Sequence, residues 1–121
     1  TNVGIVDSIA RDMTAASGTQ DVTGYGFDPT HIICSMGIEG NPGTTFGMYS
    51  AATGNTANTT DGATNNQHFT DSGAMIIQRT WGGTNQAGVL SLITDGFRIT
   101  WTKNGSPTGS AYGFAAAWRQ V

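Results

Sequence analysis

Apolar and polar residues alternate with a period of two along much of this chain. The alternation is plainest from Phe97, where Phe97, Ile99 and Trp101 fall on one side and Arg98, Thr100 and Thr102 on the other. That period predicts a half-buried strand, because successive side chains of an extended backbone point to opposite faces, whereas a helix would scatter the three bulky groups. Asp95-Gly96 supplies turn chemistry before this strand, and the KNGSPTG segment at 103–109 supplies it afterwards. Residues 111–118 alternate again, Tyr112, Phe114, Ala116 and Trp118 against Ala111, Gly113, Ala115 and Ala117, so one face is aromatic and the other nearly bald. The expected core is Phe97, Ile99, Trp101, Phe114 and Trp118.

The same reading extends to the rest of the chain. Residues 3–6 form a short apolar run suited to an edge strand, and 7–14 carry Ile9 and Met13 four apart after a possible cap at Asp7 or Ser8, which predicts one or two helical turns. A strand over 20–25 turns Val22 inward, and the following turn ends at Pro29, which disfavours helical backbone at Asp28. The 30–36 strand has two apolar faces, Ile32, Cys34 and Met36 against His31, Ile33 and Ser35; the 44–51 strand places Phe46 and Met48 together. Residues 53–67 hold no large apolar side chain and read as a long exposed loop. Strands follow at 75–80 and 89–93, separated by a Gly-rich loop over 81–88. The expectation is an all-β fold, an antiparallel β-sandwich or jelly roll of about seven or eight strands with at most one short helix. The second apolar faces of 30–36 and 89–93 leave two alternatives: these strands are central in a two-layer core, or a neighbouring subunit covers them.

Composition narrows the function classes. At 121 residues the chain is long enough for one domain, spanning 1–121, with a core of its own. Charged residues make up 11% against about 25% in typical soluble domains, and Gly contributes 18 residues, so the surface is built from Thr, Asn, Ser and Gly. The net charge is −3 and the basic residues are scattered, which argues against nucleic acid as a partner. Nothing approaches the roughly 20 apolar residues that span a bilayer, and no signal-peptide pattern is visible, so no membrane partner is expected. Cys34 is the sole cysteine and, among Ile32, Ile33 and Met36, reads as a buried free thiol; the lack of a disulfide framework suits assembly in a reducing cytoplasm.

Candidate chemistry is sparse. His31 and His68 are far apart and accompany no GxSxG, HExxH or P-loop pattern, so no enzyme and no catalytic residue is expected. Asp61 and Asp71 fit no recognised calcium loop, and no metal or cofactor is expected. Asn58-Thr59-Thr60 and Asn104-Gly105-Ser106 match the glycosylation sequon, in stretches where such matches arise by composition. Trp81, flanked by Asn85 and Gln86, either stacks on a sugar or anchors a protein contact, or packs beneath its own loop. Candidate partner or glycan contacts are therefore Trp81, Asn85, Gln86, Asn58 and Asp61.

Two segments, VTGYGFDP at 22–29 with its following apolar strand and DGFRITW at 95–101 with the final strand ending at Trp118, resemble small virion proteins of tailed bacteriophages. The resemblance implies a β-sandwich that coats, cements or decorates a capsid by binding major capsid protein or other virion proteins. A symmetric homo-oligomer is implied, a trimer being the favoured form, located in the virion and assembled in the bacterial cytoplasm. The closing half is also similar to H-type lectins, which implies as the alternative a carbohydrate-binding module on a phage tail or fibre.

Overall fold

The computed structural model describes residues 3–41, 43–61, 67–71, 76–79 and 84–120, with side chains described outside 61–83. Ten strands run through these residues, and none of them is helical. They are β1 (Val3–Asp12), β2 (Gly18–Thr23), β3 (His31–Ile38), β4 (Thr44–Ser50), β5 (Gly54–Asp61), β6 (Gln67–Asp71), β7 (Ile76–Arg79), β8 (Asn85–Ile93), β9 (Gly96–Asn104) and β10 (Ser110–Arg119). A six-stranded sheet in the order β1-β10-β3-β4-β5-β6 and a four-stranded sheet in the order β2-β9-β8-β7 form the two layers of a sandwich, with antiparallel pairing throughout.

The core follows from the alternation. Phe97, Ile99 and Trp101 of β9 and Leu90 of β8 are buried from one sheet, and Ile32, Cys34, Met36 and Ile38 of β3 from the other. The expected helix over 7–14 is instead the second half of β1 and the turn beyond it. Four-residue spacing of Ile9 and Met13 is also two periods of a strand, and both side chains are buried on the inward side with Arg11 between them.

The final strand reverses its expected facing. Ala111, Ala115 and Ala117 are buried, whereas Tyr112 is 59% and Phe114 43% exposed, so Phe114 is not a core residue, and the half-buried Trp118 lies on the same outer side. The interior already holds the large side chains of β9, and a second aromatic layer would overfill the ~10 Å between packed sheets. The bald face also permits a close approach: a Cβ on Gly113 would lie 1.7 Å from the Ser35 carbonyl oxygen on β3.

The expected loop over 53–67 contains β5, hydrogen-bonded between β4 and β6. Hydroxyls replace large apolar groups here: Thr45 and Thr59 are buried and bond each other at 2.9 Å, and Thr44 and Thr60 do so at 3.2 Å. Asn55, at the start of β5, reaches the other sheet. Its Oδ1 accepts the Leu90 backbone N–H at 2.9 Å and its Nδ2 donates to the Leu90 carbonyl at 3.2 Å. This one side chain thus satisfies both backbone groups of Leu90 on the opposite layer. Asn55→Ala is expected to cost about 1–3 kcal/mol by leaving both groups without these partners; urea-induced unfolding followed by circular dichroism measures it, and a loss below ~0.5 kcal/mol would show that the bridge carries no stability.

The two segments singled out by resemblance meet in space. Strand β2 pairs with β9, and Asp95 clamps the loop that follows β2: its carboxylate accepts the N–H groups of Gly24 and Gly26, its carbonyl accepts that of Tyr25, and its own N–H donates to Asp28. Asp95 holds a left-handed backbone, φ 68°, and a Cβ on the next residue, Gly96, would lie 1.9 Å from the Val22 carbonyl oxygen. Asp-Gly is thus required twice over, for the turn and for the contact between strands.

Candidate functional site

The two outer faces of the sandwich differ in chemistry. On the four-stranded sheet, Thr19, Asp21 and Thr23 of β2 stand beside Arg98, Thr100 and Thr102 of β9, and Val89 of β8 is an exposed apolar exception. Arg98 grips the Asp21 carboxylate through Nε at 2.6 Å and Nη2 at 3.0 Å, which holds that carboxyl below its usual range. This is an ordinary solvated face.

The outer face of the six-stranded sheet has a different character. Its register produces rows of directly opposed residues that run across β1, β10, β3, β4 and β5. One row is Val6, Ala116, Ile33, Met48 and Thr56; the next is Ser8, Phe114, Ser35, Phe46 and Asn58. Beyond them stand Tyr112 beside Gly37 and, at the other end, Trp118 beside His31, whose rings stack 5.2 Å apart and 9° from parallel. Val6 is 75% exposed, and Phe46, Met48 and Phe114 are each close to 45%. No Asp, Glu, Lys or Arg occupies an outward position of β10, β3, β4 or the described part of β5.

The face has relief. Val6, Tyr112 and Phe114 project on the side of β1 and β10. On the side of β4 and β5, two hollows flank Met48. One, of about 330 Å³, opens between Ile33, Met48, Tyr49, Ser50 and the His31–Trp118 stack; the other, of about 200 Å³, lies between Phe46, Met48, Thr56 and Asn58. Contiguous exposed apolar surface of this extent makes the face the candidate interaction site. The alternation of residues 111–118 was legible in the sequence, but the outward choice of the aromatic side was not, and this face escaped the initial list except for Asn58.

The other candidate contacts are placed as follows. Gln86 is fully buried: its Nε2 donates to the Met13 and Ala15 carbonyls at 3.1 and 2.9 Å, and its Oε1 accepts from Arg11 Nε and Nη2 at 3.2 and 3.0 Å. It is a structural strut with no surface to offer a glycan or partner, which corrects its assignment as a contact. Asn85 is half-buried and accepts a hydrogen bond from Asn104 Nδ2 at 2.9 Å. Asp61 ends β5, with its side chain outside the described residues, as is the whole of Trp81. Position 68 on β6 is opposite Thr60, and position 31 lies on β3, with β4 and β5 between these two strands in the six-stranded sheet. Among the described residues no group of three or more His, Cys, Asp or Glu side chains gathers. Burial alone pushes the Cys34 thiol far above its ordinary range, so it is held as a neutral core group.

Compared with known proteins, the chain matches no described family, no characterised protein and no solved structure.

Proposed function

We propose that this chain is a non-catalytic structural subunit of a bacteriophage virion, a decoration or cement protein that binds major capsid protein and strengthens the shell as one copy among many. The observation that carries the reading is the apolar outer face presented by β10, β3, β4 and the described part of β5, which holds no charged side chain, set against the solvated face of the other sheet. Such a face supports binding to protein surfaces. Several charged groups are taken up within the fold, which supports it too: Arg11, Asp12, Asp95 and Arg98 among them bond to their own chain. Each copy offers a modest patch, so useful affinity comes from many symmetric contacts made together.

The test compares particles assembled with and without this protein. The expected result is tens to hundreds of copies per particle, on the multivalent logic just given, and earlier rupture by heat and osmotic shock when it is missing. Particles that keep their full resistance, together with saturable binding of the isolated protein on a glycan array, would replace this reading with the carbohydrate-binding one.

A further inference from the structure

We infer that the occupant of the apolar face is a second copy of this chain, packed sheet to sheet about a two-fold axis that runs along β3. The inference rests on the proposed role of this face in assembly and assigns the face to subunit pairing, which leaves contact with the capsid to the other surfaces of the pair. Three features of the face lead to it.

The first is area. Taking ~200 Å² for a whole aromatic side chain, the exposed fractions of Val6, Phe46, Met48, Tyr112 and Phe114 amount to on the order of 500 Å². With the half-buried Ile33, Ala116 and Trp118 and the polar margin of Ser8, Thr44, Thr56 and Asn58, one copy presents roughly the 800 Å² per partner of a stable interface.

The second is charge. The outward positions of β10, β3, β4 and the described part of β5 hold no charged side chain, and Asp12 stands apart at the far end of β1, so the middle of the face carries no repulsion against itself and like surfaces can meet without a complementary set of ions.

The third is shape. Face-to-face packing reverses the order of strands, and a two-fold axis along β3 lays β10 of one copy over β4 of the other and β1 over β5. Three of the opposed pairs then match large to small. Ala116 meets Met48 of the second copy, Tyr112 meets its Thr44, Trp118 its Ser50, and Val6 its Thr56, which lines the smaller hollow; Phe114 meets Phe46 as an aromatic pair. The projecting half of each copy thus enters the hollowed half of the other, the interdigitation by which paired sheets exclude water.

Sedimentation equilibrium on the isolated full chain at micromolar concentration reads the pairing directly. A dimer, or an even-numbered assembly built from it, is expected; a monomer or a trimer overturns the inference. Phe114→Lys places a charge at an exposed position and is expected to weaken association at least tenfold while leaving the circular dichroism spectrum intact, whereas Thr100→Lys on the opposite face leaves association unchanged. Equal loss from both variants would show that the dimer forms elsewhere. The axis has its own test: Ala116→Glu and Met48→Lys each weaken self-association, and mixing the two variants restores a heterodimer in which the new charges meet. No recovery on mixing overturns the orientation. A monomer that still decorates and strengthens particles would sink the pair alone; a dimer absent from particles would sink the virion role alone.

Discussion

Gly113→Ala is expected to cost ~4 kcal/mol or more, in the range reserved for a few severe mechanisms, from the addition of a single methyl group. The added carbon would sit 1.7 Å from the Ser35 carbonyl oxygen, 2.7 Å from its carbonyl carbon and 2.8 Å from the Met36 Cα, and all three are backbone atoms. No rotamer relieves such a clash; β3 must move away from β10, and both are interior strands of the six-stranded sheet. Against a total stability of about 5–15 kcal/mol for an ordinary domain, the variant is expected to be largely unfolded or to melt far below the parent. Gly18→Ala is the control, since nothing lies within 4 Å of its added carbon and its backbone needs no left-handed angle; it is expected to be neutral or slightly stabilising. Urea unfolding of the two variants in parallel decides the matter, and a Gly113→Ala loss under ~1 kcal/mol would mean that the strands have room to separate.

Trp101→Ala is expected to cost about 3–5 kcal/mol, the range for emptying a large buried aromatic site. Trp101 is 1% exposed and joins three parts of the chain. Its Nε1 donates to Gln20 Oε1 at 2.9 Å on β2, the Arg11 guanidinium of β1 lies 5.2 Å from its ring centroid, and Gly88 on β8 leaves the space that the ring fills. Arg11 is in turn held by Gln86 and the Ala16 carbonyl, so the cation is fixed where the ring needs it. Trp101→Phe is expected to recover most of the loss by refilling the volume. A double-mutant cycle with Arg11→Met is expected to return a coupling of about 0.5–1 kcal/mol, as for other cation–ring pairs; strict additivity would show that the guanidinium and ring stabilise the fold independently.

Alternation tells which side chains share a face, and this was enough to recover the sandwich and to place Phe97, Ile99 and Trp101 together in its core. It does not tell which face is inward. For β9 the large side was the buried one; for β10 it was the opposite, because the space was already filled and because Gly113 lets the backbone of β3 come close. Residues 53–67 failed for a different reason: a sheet that extends beyond its core can be held by Thr hydroxyls and backbone ladders, and Asn55 is worth more there than an apolar residue. Gln86 looked like a surface amide because its side chain is polar, and nothing local reveals that Arg11, Met13 and Ala15, more than seventy positions earlier in the chain, surround it.

Strand order has a consequence for how the protein is made. The first strand pairs with the last, Val3 opposite Arg119 through to Asp12 opposite Ser110, and the second strand pairs with β9. As a nascent chain emerges, β3, β4 and β5 can zip up as neighbours, but β2 has nothing to bond to until β9 follows, and β1 nothing until β10 does. Such distant pairings bring slow folding and a long interval in which unpaired edges are open to other chains. Because β10 lies between β1 and β3, a chain truncated before Ser110 leaves β1 with no seat in either sheet. Arrival of β10 is therefore the step that seats β1 and closes that side of the sheet.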